Sequence, residues 1–300
     1  MFNITNQFSV NCDFKVVLIT KNTKLSSYKN FIDLKIGNQL FLKALKNKRK
    51  YSFISEYDQN KLVNYYFFNI EQNKFDFEYQ DIGGSIISEA MSISKQNIEV
   101  SFEFLSKDLK SDLVYKNIII GMMSKNYNFK NYKLKDDTKK IKNITLITNQ
   151  KNLLRKNLNN AKSINEGVCE TRNLVTTPPN ILNPYNFANR IKKLSNIGLK
   201  IEILDESKLK KLGMNALLGV GQGSSNKSFV AIMKWNGGKK NSKPLGFVGK
   251  GVCFDTGGIS LKPARFMEEM KYDMAGAGTV AGLMKTLALR KAKVNAVGVL

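Results

Sequence analysis

"VGKGVCFDTGGISLKP", residues 248–263, places two lysines, one aspartate and four glycines in an otherwise apolar run. Charged side chains are costly to bury, and the run has the pattern of a strand followed by a tight turn rather than that of a solvated surface. Asp255 follows the apolar residues and precedes Thr256 and two glycines. We therefore predict Asp255 at the carboxyl end of a strand, where open α/β sheets expose their chemistry.

The sequence around this stretch alternates between predicted strands and predicted helices. The strands are predicted over 199–206, 228–235, 244–254 and 293–300, and the helices over 187–198, 207–220 and 273–291. Such alternation is typical of an α/β sheet with helices on its faces. Residues 178–300 are therefore predicted to form an α/β domain.

The first 150 residues predict a separate α/β domain. Its strands are predicted over 13–20, 61–70, 97–105 and 141–148, and its helices near 85–95 and 108–125. Residues 151–175 carry apolar side chains at helical spacing, and this helix should end before "TTPPN" (176–180), because a residue that precedes proline is disfavoured in the α conformation. We predict an N-terminal α/β domain over 1–150 and a linker helix over 151–177.

The composition excludes several classes of catalyst. The 300 residues contain no histidine, which excludes Ser-His-Asp and Cys-His catalysis and histidine-based zinc sites. The three cysteines, Cys12, Cys169 and Cys253, are widely spaced and odd in number, which indicates a reducing cytoplasm rather than a disulfide framework. No apolar run approaches the length that spans a bilayer, so no membrane association is expected.

The net charge of +24 leaves two interpretations open. A basic surface for nucleic acid is one, and a compositional bias toward lysine and asparagine is the other. Residues 1–50 hold 10 Lys and Arg against 2 Asp and Glu, whereas residues 51–100 hold 3 against 8. Elsewhere the lysines are scattered, and blocks indicate function better than totals do, so the bias is favoured.

Asp273, beyond the opening stretch, and Lys250, within it, have ordinary structural explanations as well. Asp273, in "EEMKYDMAGAG" (268–278), stands where a helix should begin, so it could be an N-cap or a metal ligand. Lys250 could be a lysine at a strand edge whose amine reaches water.

Taken together, "VGKGVCFDTGGISLKP" and the following "MEEMKYDMAGAGTV" (267–280) strongly resemble the leucyl aminopeptidase (cytosol aminopeptidase) family, which uses two metal ions. "TRNLVTTPPNILNP" (171–184) and "LGMNALLGVGQGS" (212–224) are similar to further segments of that family. The resemblance is specific from about residue 165 onward. It implies that residues 178–300 are the first half of a metallopeptidase catalytic domain.

The resemblance implies a role for each residue of the site. Lys250 and Asp273 would ligate one metal, Asp255 would bridge two divalent ions, Mn²⁺ or Zn²⁺, and Met270 would line the pocket for the first side chain of a peptide substrate. Lys262 would be catalytic. A metal-bound amine must be unprotonated, whereas Lys262 must stay cationic to stabilise the oxyanion that forms when water attacks the carbonyl. A cytoplasmic homo-hexamer is implied as well.

The family completes its site with a segment similar to "NTDAEGRL", which the sequence to Leu300 does not contain. We therefore expect that the catalytic domain is incomplete in this chain and that the 300-residue protein lacks peptidase activity. Two other hypotheses remain: a DNA-binding protein that uses its basic surface, and a non-catalytic remnant.

Overall fold

The computed structural model of the protein describes residues 1–20, 51–58, 61–129, 132 and 140–300. Much of the lysine-rich stretch 1–50 therefore lies outside the described residues. The chain divides into two compact units, Met1–Lys162 and Ser163–Leu300, and the fold class is α/β, as predicted. The division falls within the predicted linker helix, and the domain limits given above stay predictions.

The first unit is built on a six-stranded sheet with the order β1-β6-β5-β2-β4-β3. All neighbours in it are parallel except the antiparallel pair β3 and β4. Every residue of β2 is buried, as expected for a parallel strand that is covered on both faces. The strands are β1 (Phe2–Thr5), β2 (Phe14–Ile19), β3 (Tyr51–Asp58), β4 (Lys61–Asn69), β5 (Asn97–Ser101) and β6 (Asn143–Ile147), and the helices are α1 (Asp76–Ser92) and α2 (Asp112–Lys125).

Helix α3 (Lys151–Thr176) is continuous over 26 residues and contains the point at which the two units divide. Its last turn closes with a hydrogen bond from the N–H of Thr177 to the carbonyl of Asn173 (3.1 Å). Pro178 and Pro179 follow, and they end the helix where the sequence predicted.

The second unit is built on a four-stranded sheet with the order β7-β8-β10-β9, in which only β9 and β10 are parallel. One face of this sheet packs against α3, α4 and α7 around a core that includes Met233, Met284 and Ala281. Its strands are β7 (Lys200–Leu204), β8 (Val230–Asn236), β9 (Leu245–Val248) and β10 (Asn295–Val299), and its further helices are α4 (Pro184–Lys192), α5 (Glu206–Lys211), α6 (Asn215–Gly221) and α7 (Ala275–Leu289).

Helices α3 and α7 cross at two glycines, Gly167 and Gly282. A Cβ atom on Gly282 would clash with the carbonyl of Gly167 and with the hydroxyl of Thr171. That hydroxyl also donates to the carbonyl of Gly278 in α7 (3.0 Å). The absence of side chains at the crossing therefore sets the distance between these helices.

A charged group joins three helices beside this crossing. The Glu170 carboxylate of α3 accepts from Arg190 Nε of α4 (2.7 Å) and from Lys285 Nζ of α7 (3.1 Å). The Glu170 side chain is 12% exposed. Lys285 also pairs with the exposed Glu166 (3.3 Å).

Two predicted elements are corrected by the structure. The helix predicted over 207–220 is two short helices, α5 and α6, because Gly213 between them takes a left-handed conformation (φ 70°). The strand predicted over 244–254 ends at Val248. Among the described residues, no helix combines the length and the apolar character needed to cross a membrane.

Candidate metal centre

The candidate site lies where β9 ends and α7 begins. The N–H of Gly249 donates to the carbonyl of Val299 in β10 (2.9 Å), and the carbonyl of Lys250 accepts the N–H of Ala277 in the first turn of α7 (2.9 Å). A Cβ atom on Gly249 would lie 2.6–2.7 Å from backbone atoms of Gly276 and Ala277. Only glycine lets the chain approach the helix this closely, which is why the strand ends here.

This approach brings Lys250 to Asp273, which follows the 3₁₀ helix Met267–Tyr272. Lys250 Nζ lies 2.5 Å from Asp273 Oδ1, and the two side chains are 61% and 19% exposed. The other oxygen, Asp273 Oδ2, is buried and has no hydrogen-bond partner among the described residues. An unpaired buried carboxylate oxygen is unfavourable, so Oδ2 is suited to accept a ligand.

The N-cap alternative for Asp273 is wrong. The residue in the N-cap position of α7 is Met274, and no side chain caps this helix. Lys250 is likewise not a residue of the edge strand: it lies beyond the end of β9, and its amine pairs with a carboxylate.

A second lysine–aspartate pair lies in the loop after β9. Lys262 Nζ lies 3.0 Å from Asp255 Oδ2, and Asp255 Oδ1 accepts the N–H of Gly257 (2.9 Å). The loop folds back because Gly257 has φ 92° and because the N–H of Lys262 donates to the carbonyl of Thr256 (2.9 Å).

The charge of Lys250 also reaches Asp255. The N–H of Gly257, the neighbouring amine of Lys262 and the more distant charge of Lys250 together hold the pKa of the Asp255 carboxyl below its ordinary value. This carboxyl is therefore charged at neutral pH, as a metal ligand must be.

Met270 lies in the 3₁₀ helix that leads to Asp273. Its side chain is partly buried, and its carbonyl accepts the N–H of Asp273 (3.1 Å). Met270 is therefore one turn of chain from a candidate ligand.

The donors near the site are few. Three candidate ligands are present, the carboxylates of Asp255 and Asp273 and the amine of Lys250, and among the described residues no three His, Cys, Asp or Glu side chains cluster as a metal site. Cys253 contributes no thiolate, because burial raises the pKa of its thiol to about 11. Oxygen and nitrogen donors suit Mn²⁺ and Zn²⁺, and Asp273 Oδ2, which has no hydrogen-bond partner among the described residues, is a suitable oxygen donor.

Gly249 and Gly276 permit the contact between the loop and α7. The small residues after Asp273 predict close helix–sheet packing, but no role was predicted for Gly249. The signal for them was present in "GKG" (249–251) and "AGAG" (275–278). Small residues at a strand end and at the next helix start are typical of close backbone packing.

The fold is α/β, and two lysine–aspartate pairs lie in the segments that follow strand β9 and precede helix α7. Residues 169–300 match the profile of the cytosol aminopeptidase family, catalytic domain. The chain is 44% identical over 235 residues to a probable cytosol aminopeptidase of Phytoplasma mali (strain AT), and the match covers 76% of this chain and 47% of that protein. Identities to probable cytosol aminopeptidases of Phytoplasma australiense and Brucella suis are 51% over 183 residues and 48% over 189 residues.

The predicted resemblance to the leucyl aminopeptidase family is confirmed: residues 169–300 match the family's catalytic domain, and these relatives are probable cytosol aminopeptidases. The last two matches cover 60% and 61% of this chain but 37% and 38% of those proteins, so the chain spans less than half the length of each of these relatives. The solved structure described as "Bottromycin maturation enzyme BotP in complex with Mn" is similar in fold, with a TM-score of 0.73 at 20% identity, over 96% of this chain and 58% of that chain.

Proposed function

We propose that this chain contributes to a metal-dependent aminopeptidase that releases N-terminal residues such as leucine from peptides. The observation that carries the proposal is the pair of lysine–aspartate contacts at the end of β9, within the segment that matches the family's catalytic domain. Peptides are the substrate class that the family membership favours.

Three side chains would hold the metal. Asp255 would bridge two divalent ions, Mn²⁺ or Zn²⁺, and Lys250 and Asp273 would bind one of them. The buried Asp273 Oδ2, which has no hydrogen-bond partner among the described residues, supports this assignment. When bound, the two ions would activate a water molecule and polarise the peptide carbonyl.

Lys262 would act on the substrate directly. Its ammonium is held by Asp255 in this structure (3.0 Å), and it would stabilise the negative charge that develops on the carbonyl oxygen. Met270 would line the pocket for the first side chain of the peptide. Its place in the turn before Asp273 supports a position close to the reacting centre.

Metal binding tests these assignments without an activity assay. Mn²⁺ titrated into the protein in a calorimeter should bind, and Asp273→Asn or Asp255→Asn should weaken binding at least tenfold, because each removes a charged oxygen ligand. Glu268→Gln is the matched control, since it removes an exposed carboxylate nearby and should leave the affinity unchanged. Equal affinities in all four proteins would refute the site and favour a non-catalytic remnant.

The part of the chain that the structure describes places three donors at this site, which is fewer than two ions require. We therefore expect the 300-residue chain to show no measurable hydrolysis of leucine amide in the presence of Mn²⁺, and robust hydrolysis would contradict this expectation. The hexamer and the cytoplasmic location that the resemblance implies remain part of this proposal. Sedimentation of the protein would test the first, and fractionation of cells would test the second.

A further inference from the structure

The first turn of α7 is held from two sides, by the loop that follows β9 and by helix α3. On the side of the loop, the carbonyl of Lys250 accepts the N–H of Ala277 (2.9 Å). On the side of α3, the hydroxyl of Thr171 donates to the carbonyl of Gly278 (3.0 Å). Ala277 and Gly278 are consecutive residues, so the loop and α3 hold neighbouring residues of the same helical turn.

The position of Lys250 depends on this turn. The N–H groups of the first turn of a helix have no partner within the helix, and the Lys250 carbonyl satisfies one of them because no side chain caps α7. A Cβ atom on Gly276 would lie only 3.1 Å from the backbone nitrogen of Lys250. Backbone contacts with α7 therefore fix Lys250, whose amine meets Asp273 just before the helix (2.5 Å).

Thr171 is packed closely against α7. Its hydroxyl oxygen lies 2.2 Å from the position that a Cβ atom on Gly282 would take, and Val175, one turn further along α3, lies 3.3 Å from the corresponding position on Gly278. The hydroxyl is also 3.3 Å from the carbonyl of Gly167 in its own helix. It has a single proton to donate, and the shorter distance is the one to Gly278, across the helix crossing.

A second threonine at the same crossing provides a comparison. Thr286 of α7 faces Gly167 of α3 as Thr171 of α3 faces Gly282 of α7, with its hydroxyl oxygen 1.9 Å from the Cβ position of the glycine. The hydroxyl of Thr286 donates within its own helix, to the carbonyl of Gly282 (2.9 Å). Within residues 163–300, which are described throughout, Thr171 therefore donates across the crossing and Thr286 does not.

We propose that Thr171 is a positioning residue for the candidate metal centre. Its hydroxyl holds the first turn of α7, and this turn keeps Lys250 beside Asp273 so that both side chains can bind one ion. The proposal rests on the proposed function, because it takes these two residues as ligands. Thr171 does not contact the ion, and its effect passes through the backbone of Ala277 and Gly278.

The expected effect is smaller than that of a group bonded directly to a ligand. Loss of a hydrogen-bond partner of a metal ligand typically costs about 10–100-fold in metal affinity. Thr171 acts through the backbone of α7 rather than on a ligand side chain, so we expect its hydroxyl to contribute about three- to tenfold, below that range.

A titration of Mn²⁺ followed by electron paramagnetic resonance tests the proposal, because the signal of free Mn²⁺ falls as the ion binds. Thr171→Val removes the hydroxyl and should weaken binding by about three- to tenfold. Thr171→Ala should weaken it equally without crowding Gly282, and Thr171→Ser keeps the hydroxyl and should restore the wild-type affinity. Thr286→Val is the matched control, since it makes the same substitution at the same crossing and should leave the affinity unchanged.

Urea unfolding separates positioning from a general loss of stability. The two valine variants should have similar urea midpoints, whereas only Thr171→Val should lose Mn²⁺ affinity. Wild-type affinity in Thr171→Val, an equal loss in Thr286→Val, or no recovery in Thr171→Ser would overturn the positioning role and leave the candidate metal centre intact. If the wild-type protein itself bound no Mn²⁺, the proposed metal centre would be refuted, and the positioning role with it.

Discussion

Replacing Glu170 by glutamine should destabilise the second unit, because it removes the negative charge that joins α3, α4 and α7. Hydrogen bonds to charged groups contribute about 1.5–3 kcal/mol each, and Glu170 accepts two of them. Arg190 is one-third exposed and Lys285 keeps its contact with Glu166, so part of the cost is recovered. We expect a loss of about 2–3 kcal/mol in the free energy of unfolding.

Glu166→Gln is the matched control, since Glu166 pairs with the same lysine but is 61% exposed. Exposed pairs contribute about 0–1 kcal/mol. Urea unfolding can be followed by the fluorescence of Trp235, the only tryptophan of the chain, which is partly buried and packs against the core of the second unit. With a denaturant slope of about 1–3 kcal/mol per molar urea, Glu170→Gln should lower the midpoint by about 0.7–3 M.

The effect of Glu170→Gln should depend on pH. Burial raises the pKa of the Glu170 carboxyl, but the charges of Arg190 and Lys285 outweigh burial and leave this pKa below its ordinary value. The pKa of Glu170 is lower in the folded protein than in the unfolded one, where it is about 4.3. The carboxylate therefore stabilises the fold fully above the unfolded pKa, and this stabilisation is lost as the pH falls through the folded pKa. The difference in the free energy of unfolding between wild type and Glu170→Gln should therefore be constant near neutral pH and become smaller in acid. A midpoint equal to that of Glu166→Gln, or a difference that persists in strong acid, would refute the reasoning.

Two further predictions concern packing and thiol reactivity. Gly282→Ala should lower the free energy of unfolding by about 1–3 kcal/mol, because the new Cβ would clash with Gly167. Urea titration measures this loss. The control is Gly223→Ala, which should have a much smaller effect because the space around Gly223 is open. Cys12 and Cys253 should not react with a thiol reagent at pH 8 until the protein unfolds, because burial raises the pKa of each thiol to about 11. Rapid labelling of either cysteine in the native protein, detected by mass spectrometry, would contradict this.

The alternation of strands and helices was predictable because buried strands leave apolar runs in the sequence. The first and last residues of elements that depend on distant contacts were not predictable. The apolar run after Leu245 continues to Phe254, yet β9 ends at Val248, because Gly249 meets the start of α7. Strand β1 spans only Phe2–Thr5 and pairs with β6, about 140 residues away, so no local pattern identified it.

The sequence could nominate residues for the candidate site, but it could not predict the contacts between them. Residue types and spacing left Asp273 open between a helix cap and a metal ligand. The structure excludes the cap, because Met274 occupies the N-cap position of α7, and Asp273 instead pairs with Lys250, 23 residues earlier in the chain. A contact of this kind depends on how β9 and α7 pack, which no pattern within the stretch 248–263 encodes.

Helix α3 has a consequence for chimeric proteins. The division after Lys162 would cut its 26 residues into pieces of 12 and 14, and isolated helices of about 12–15 residues are marginal in water. A chimera joined at the boundary between the two units would therefore contain a poorly formed helix at the junction. Exchange of either unit with a relative should succeed only at junctions before Lys151 or after Thr176, so that the helix is inherited whole.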